Sequence, residues 1–323
     1  MQDEALIHAL LLDGKGGASV LDWQGVKNWQ PQDGVLWVHL DYSQPQSIEW
    51  LEQGADLNPV VTDALLTGET RPRTIRIDNG LLLALRGVNL NPGADPDDMV
   101  SIRLWVEPGR IISTRKRRLL SVTDVANELK AGQGPARTDE VLASLLSRLV
   151  ARMSDTVDYF EDQVAEFEEQ ALEQQNAQMR AELGRVRRQI ISLRRYLAPQ
   201  REAISQLLSD RIDWFSRDVR LSFQETLDSL MRHVEDLDAV RERAAVTQEE
   251  IGNHLAEQMN SRMYVLSIVA AFFLPLGFLT GLLGINVGGI PGAENPLGFG
   301  VFIALLVLVC GLQIVWFRRK GWL

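Results

Sequence analysis

Four carboxylates recur at intervals of seven residues in the last third of the 323-residue sequence: Asp228, Glu235, Glu242 and Glu249. A seven-residue spacing keeps side chains on one side of an α-helix, because such a stripe drifts only ~20° per heptad. If several identical helices surrounded one axis, this acidic stripe would form carboxylate rings that concentrate cations. The more usual role of such a stripe is the solvated face of a coiled coil, and both interpretations remain open here.

The same seven-residue phase continues beyond the acids into apolar sequence, at Ala256, Met263, Ala270 and Gly277. Residues 263–292 contain no charged side chain. The run 264–283 is long enough to cross the ~30 Å hydrocarbon core of a bilayer. A second uncharged run of similar length occupies residues 297–317. The sequence therefore predicts two transmembrane helices, the first of which continues the phase of the acidic stripe.

Several residues of the first apolar run stand out, and each has an ordinary explanation beside a functional one. Pro275 deprives the Ala271 carbonyl of its helical hydrogen bond, and a tolerated kink would explain it equally well. Gly277 and Gly281 have the spacing of closely packed membrane helices, which is the commoner use of that pattern. The run ends in Gly284-Ile285-Asn286, followed by the glycine-rich VGGIPG.

Histidine and cysteine offer little for a metal centre. No two histidines have the i, i+3 or i, i+4 spacing of a helical ligand pair, and the ordinary role of each is a surface or core residue. In a symmetric oligomer His254, near the first apolar run, would become a ring and a candidate for protonation or metal contact. Cys310 is the only cysteine, which excludes intrachain disulfides and a cysteine-cluster zinc site.

Charge distribution limits the partners and sets an orientation. The formal net charge of −10 argues against nucleic acid and favours cations. A basic triplet follows the second apolar run, and the segment between the runs has no Lys or Arg, so we expect an external loop and two cytoplasmic termini. The triplet would also serve as a simple anchor to lipid head groups; it consists of Arg318, Arg319 and Lys320.

The pattern of the remaining sequence predicts an α/β region followed by long helices. Short apolar runs predict strands at residues 5–12, 35–41, 74–78, 81–85, 100–106 and 111–115, and Asn58-Pro59 predicts the start of a helix. Helices are expected at 123–130, 142–175 and 178–209, the last containing Pro199. A third long helix should begin near Phe215 and run into the first membrane span, about 70 residues or on the order of 100 Å in length.

This pattern divides the chain into seven predicted segments. They are a cytoplasmic α/β domain (1–137), a cytoplasmic helical hairpin (138–214), the cytoplasmic part of the long stalk helix (215–262), a first transmembrane helix (263–284), an external loop (285–296), a second transmembrane helix (297–317) and a basic cytoplasmic tail (318–323). No nucleotide-binding loop, catalytic triad or paired-carboxylate site is present, so we do not expect an enzyme.

The C-terminal features together resemble a known family. A span with a central proline that ends in Gly-x-Asn, a short loop, a second span and the tail RRKGWL are similar to the CorA superfamily of divalent-cation transporters. Magnesium channels of that superfamily typically carry Tyr-Gly-Met-Asn at the signature. Here the signature is Leu283-Gly284-Ile285-Asn286, followed by VGGIPG, which resembles the zinc-transporter (ZntB) branch.

The resemblance implies a funnel-shaped homopentamer in the bacterial inner membrane, with the first span of each subunit lining a central pore. It implies an outer entrance formed by Gly284, Ile285 and Asn286, and an inner basic ring formed by the C-terminal triplet. The implied pore-lining residues are Asn260, Met263, Leu266, Ser267, Ala270, Leu274, Gly277 and Gly281. The resemblance also implies that no cofactor is needed and that zinc transport is coupled to protons, with the direction of transport open.

The chemistry of an asparagine ring fits a transported ion better than a tightly held one. Zinc in stable sites prefers Cys and His ligands, whereas the Asn286 carboxamide accepts hydrogen bonds from water already bound to the ion. Weak contact through the hydration shell permits release, which conduction requires. Glu249 and His254 are the further candidates for metal contact.

Three functions remain open on the sequence. The first is zinc transport; the second is a magnesium or cobalt channel of the same fold, which would be driven by voltage alone. The third is a membrane-anchored coiled-coil interaction protein without a pore, in which the face from Asn260 to Asn286 packs tightly on the axis. From the residues alone a divalent cation is favoured, and zinc follows from the branch.

Overall fold

The computed structural model describes residues 5–68, 71–173, 176–284, 290 and 295–321. The chain divides into two compact units. The first comprises Met1–Gln174 and Gln178–Glu249, and the second comprises Gln175–Ala177 and Glu250–Leu323. Ile285, Asn286 and the last two residues of the tail lie outside the described residues.

In the described part of the first unit, one mixed sheet has seven strands in the order β2-β1-β3-β7-β6-β5-β4. Only β3 and β7 pair in parallel; the other neighbours are antiparallel. The strands are β1 (Leu6–Leu12), β2 (Ala18–Val20), β3 (Leu36–Asp41), β4 (Arg73–Ile77), β5 (Gly80–Val88), β6 (Met99–Glu107) and β7 (Arg110–Arg115).

Short helices connect these strands. They are α1 (Trp23–Asn28), α2 (Pro45–Glu49), α3 (Pro59–Leu66) and α4 (Leu120–Lys130), with a 3₁₀ turn at Pro31–Asp33 and a π turn at Trp50–Gly54. The predicted start of α3 is confirmed: Asn58 Oδ1 accepts a hydrogen bond from the Val60 amide at 3.0 Å, and Pro59 fills the first helical position.

The two faces of the sheet explain why its strands are so apolar. Val38 and Ile112 share a core with Val61 and Leu65 of α3, and the residues that alternate with them face the other side. On that other side Leu119 and Leu149 lie so close to Gly87 that a Cβ there would meet them at 2.8 and 2.7 Å. Burial on both faces removes the polar alternation that a half-exposed strand would show.

The buried guanidinium of Arg103 has a structural role at the end of α3. The last carbonyls of a helix lack intrahelical partners. Thr114 Oγ1 donates to the Leu65 carbonyl, and Arg103 Nη2 donates to the Gly68 carbonyl. Arg103 also lies over the Tyr42 ring, with its Cζ 4.6 Å from the ring centroid. The cation thus stabilises the negative end of the helix dipole.

Three long helices follow: α5 (Thr138–Glu173), α6 (Ala177–Ser209) and α7 (Arg217–Gly284). Within the first unit each of them contributes fully buried side chains, such as Phe160 of α5, Leu193 of α6 and Leu237 of α7. Ion pairs also connect the helices: Arg194 Nε lies 2.5 Å from Asp238 Oδ1, and Arg243 Nη2 lies 2.5 Å from Glu168 Oε2. Helix α6 runs through Pro199 without ending.

In the second unit, the rest of α7 is followed by α8 (Gly298–Arg319). Both helices are long and apolar enough to cross a membrane, and none of the apolar window of either is buried within the chain. The two apolar runs predicted from the sequence are therefore helical.

The six predicted strands are present, with ends that differ by up to three residues. Four short elements were not predicted, because they are too short to show a periodicity: β2, α1, α2 and the turn at Trp50–Gly54. Helix α5 begins at Thr138, earlier than the predicted residue 142, and α7 begins at Arg217, later than the predicted Phe215.

Candidate functional site

The acidic stripe lies on the exposed side of α7 in the first unit. All four of its carboxylates are exposed, and none forms an ion pair with another described residue. By contrast Asp238, on a neighbouring side of the same helix, pairs with Arg194 and with Arg241. The opposite side of α7 is buried through Phe223, Leu230 and Ala244. The stripe therefore lies on the open side of the helix, and no described cation pairs with it.

In the second unit the eight residues predicted to line a pore are all exposed in the chain. Leu274 is 73% exposed, Leu266 70% and Met263 61%. A Cβ added at Gly277 or at Gly281 would meet nothing within 4 Å. Nothing in the described part of this chain covers that side of α7.

Helix α8 packs on the other side of α7. The half-buried residues of α7 here include Ile268, Phe272 and Leu279, roughly half a helical turn from the predicted pore face. The Phe272 and Phe317 rings lie 5.0 Å apart between centroids. The contact with α8 thus leaves the predicted pore face free.

The pore-lining assignment of these residues stays a prediction. At the predicted outer entrance, Gly284 is the last residue of α7 and is exposed. Ile285 and Asn286 fall outside the described residues. Arg318, Arg319 and Lys320 are exposed at the end of α8, and the structure gives them no role beyond their charge.

The two histidines of α7 differ in their surroundings. His254 is exposed, and its role in protonation or metal contact stays a prediction. His233 is half-buried, hydrogen-bonds to the backbone of Val150 in α5, and burial lowers its pKa despite the nearby Asp236 carboxylate. His233 is thus directed toward the helical core and away from the acidic stripe.

The sheet contains a histidine pair that was not predicted from the sequence. His8 of β1 and His39 of β3 are cross-strand neighbours, and their rings stack with centroids 6.0 Å apart. Only the strand register brings them together, and the register is not visible in the spacing of residues along the chain. The pair belongs to the core of the α/β region.

His39 joins a buried hydrogen-bond network around Ser113. Ser113 Oγ accepts from Trp37 Nε1 at 2.9 Å and lies 3.2 Å from the Val38 carbonyl oxygen. His39 Nδ1 lies 2.8 Å from the same Ser113 Oγ. His39 Nε2 is buried and has no hydrogen-bond partner among the described residues. Burial, with help from Arg115, lowers the pKa of His39 well below its usual range.

Cationic neighbours make the histidine pair a poor metal site. Lys130 and Arg115 face His8, and no third ligand completes the pair; among the described residues no three His, Cys, Asp or Glu side chains converge on a point. A zinc ion held in place needs about four ligands. The structure therefore offers no resident metal centre in the parts of the chain it describes.

The histidine pair should make the fold sensitive to acid. Burial, then Lys130 and Arg115, lower the pKa of His8 from 6.5 to about 4. Between pH 6.5 and pH 4 the unfolded chain binds this proton and the folded chain does not. The contribution to the free energy of unfolding is therefore fully present above pH 6.5 and is lost as the pH falls toward 4. We expect His8→Gln to reduce this loss, measured by urea unfolding at pH 7 and pH 5. The matched control is His254→Gln; equal pH dependence in His8→Gln and wild type would contradict the assignment.

Comparisons with known proteins agree with the architecture. Residues 32–319 match the family model described as CorA-like Mg2+ transporter protein. The chain is 38% identical to the zinc transport protein ZntB of Pectobacterium carotovorum, over 100% of this chain and 98% of that protein. It is 40% identical to the divalent cation transporter CmaX of Pseudomonas aeruginosa, over 99% and 98%. The structure of full-length CmaX matches with a TM-score of 0.87 at 39% identity, covering 100% of this chain and 99% of that one.

Proposed function

The chain belongs to the family of CorA-like Mg2+ transporter proteins, and from that premise we propose that it carries divalent cations, with zinc as substrate, across a membrane. The observation that carries the proposal is similarity to a zinc transport protein and to a divalent cation transporter along the whole chain, both apolar helices included. No chemical transformation is part of this function.

Our proposal for the route is a central pore in a homopentamer of the bacterial inner membrane, with both termini in the cytoplasm. The uncovered side of α7, opposite its contact with α8, supports this arrangement. Asn286 would receive the hydrated ion at the outer entrance. The carboxylates of the acidic stripe would hold cations near the inner end of the pore, since no described side chain forms an ion pair with them.

We propose zinc over magnesium because of the zinc-transporting relatives and the Leu283–Asn286 signature. The described residues form no metal-binding cluster that would select one of the two ions. We also propose that transport is coupled to protons. Without a metal-binding cluster, a site that contacts the ion through water discriminates charge and size more than the element. Magnesium is the second candidate, because the family model carries that description.

Flux into proteoliposomes tests the proposed function. The full-length protein should admit Zn²⁺ faster than Mg²⁺, and zinc flux should fall when the pH gradient is collapsed. Magnesium flux that follows membrane voltage alone would establish the second candidate. A purified, correctly inserted protein that passes neither ion would leave the non-transporting coiled-coil anchor predicted as the third possibility.

The acidic stripe should affect the rate mainly at low salt. Glu249→Ala removes one exposed carboxylate per subunit, and we expect zinc flux to fall roughly twofold to fivefold at ~10 mM salt, where the Debye length is about 30 Å. At ~0.5 M salt the variant should match wild type. Stopped-flow measurement with a zinc-sensitive dye inside the vesicles reads both rates.

Glu250→Ala is the matched control for this measurement. Glu250 is also exposed but lies one residue outside the stripe. If both variants slow the flux equally, the effect arises from the net charge of the region, and the position of Glu249 on the stripe does not matter. An effect of Glu249→Ala that persists at high salt would indicate direct contact with the ion.

A further inference from the structure

Pro275 creates a gap in the hydrogen bonding of α7. Proline has no amide hydrogen, so it cannot donate to the carbonyl of Ala271 four residues earlier. Inside a bilayer no water is available to replace the missing donor, and an unsatisfied backbone carbonyl is costly there. The Ala271 carbonyl therefore needs a donor from another part of the protein.

Gln313 of α8 supplies that donor. Its Nε2 lies 3.3 Å from the Ala271 carbonyl oxygen. The orientation of the carboxamide follows from the partner, because a carbonyl oxygen accepts and only the amide nitrogen can donate. Gln313 is the only residue of α8 with a carboxamide side chain, and residues 298–317 include no charged side chain.

The other end of the same carboxamide has no described partner to account for a polar side chain at this position. Gln313 Oε1 is buried and has no hydrogen-bond partner in the described residues. A buried acceptor without a partner is unfavourable, and an apolar residue would avoid it. On either side of the contact α7 and α8 are joined by apolar packing such as that of Phe272 with Phe317. The hydrogen bond is thus the specific element of an otherwise apolar contact.

We propose that Gln313 is a positioning residue that replaces the hydrogen bond lost at Pro275 and fixes α8 to α7 at that break. The role rests on the proposed function, in which α7 carries the conducting face. The donor approaches from the side of α7 that contacts α8, and the predicted pore face lies opposite. Gln313 acts on the ion only through the position of α7.

A double-mutant cycle tests this assignment, because Pro275→Ala restores the amide that Gln313 replaces. Gln313→Met keeps the length of the side chain and removes the donor. In the wild-type background it should lower the melting temperature of the nanodisc-embedded protein by about 2 °C. Zinc flux should fall roughly threefold, the size of a typical hydrogen bond between membrane helices. In the Pro275→Ala background, where the restored amide already donates to the Ala271 carbonyl, the same substitution should lower neither quantity.

The control is Leu312→Met, a change at the adjacent, 62% exposed position, which should behave as wild type in both backgrounds. Equal losses from Gln313→Met with and without Pro275 would overturn the assignment, because the side chain would then contribute packing alone. No loss in either background would overturn it too. The stability cycle is independent of transport, so it decides the role of Gln313 even if the protein passes no zinc and the proposed function fails.

Discussion

Asn286→Ala should abolish zinc flux or remove the preference among divalent cations, with a fall of about tenfold or more. At the proposed entrance the carboxamide would accept hydrogen bonds from water polarised by the ion, and hydrogen bonds to charged groups contribute about 1.5–3 kcal/mol each. A loss of 1.4 kcal/mol already corresponds to about tenfold in occupancy, and in the proposed ring every subunit would lose the contact. Uptake of Zn²⁺ and Mg²⁺ into proteoliposomes, measured side by side, gives both the rate and the preference.

Asn286→Gln is the comparison variant, because it keeps the carboxamide and lengthens the side chain by one methylene. It should retain part of the flux, whereas alanine should not. Size-exclusion chromatography of each variant establishes that the assembly is intact before flux is compared. Unchanged flux and unchanged preference in Asn286→Ala would remove Asn286 from the entrance and with it the main residue of the proposed pathway.

Gly277→Leu should block conduction by about tenfold or more while the chain itself folds normally. A Cβ at this position meets nothing within 4 Å inside the chain, and leucine favours a helix more than glycine does. Any effect must therefore arise outside the subunit, either in the ion pathway or at a neighbouring helix. Flux in proteoliposomes, together with the oligomeric state in detergent, separates these two causes.

Gly311→Leu on α8 is the matched control, since it places the same side chain in equally open space on the helix not predicted to line the pore. Blocked flux in Gly277→Leu with an intact assembly, and normal flux in Gly311→Leu, would support the pore face. Loss of assembly in Gly277→Leu alone would instead favour the close-packing role of Gly277 and Gly281. Normal flux in both variants would indicate that this face of α7 contacts lipid.

Much of the architecture was accessible from sequence because local patterns carry it. Runs such as 35–41 combine β-branched and aromatic residues, and they form strands wherever they are placed in the sheet. The Asn58-Pro59 pair predicted a helix start through backbone chemistry that needs no tertiary contact. Strand order was not predictable, because the pairing of β3 with β7 joins residues about seventy positions apart and leaves no local trace.

In the candidate site, too, the features set by local sequence were predictable and those set by tertiary packing were not. The exposed position of Asp228, Glu235, Glu242 and Glu249 followed from a seven-residue period on one helix. The sequence also identified the Ala271 carbonyl as lacking a donor, because that depends only on Pro275. It did not identify Gln313 as the donor, since the rotation of α8 against α7 is set by packing 42 residues away. His8 and His39 were missed for the same reason.

The difference in burial between the two units has a thermodynamic consequence. The first unit buries a large apolar core of its own, while the membrane-type window of each apolar helix is 0% buried within the chain. Calorimetry should therefore record two transitions. The melting temperature of the first unit should depend on urea and pH, and that of the second unit should depend on the lipid or detergent composition. A single enthalpy of denaturation would then have no defined meaning for this protein.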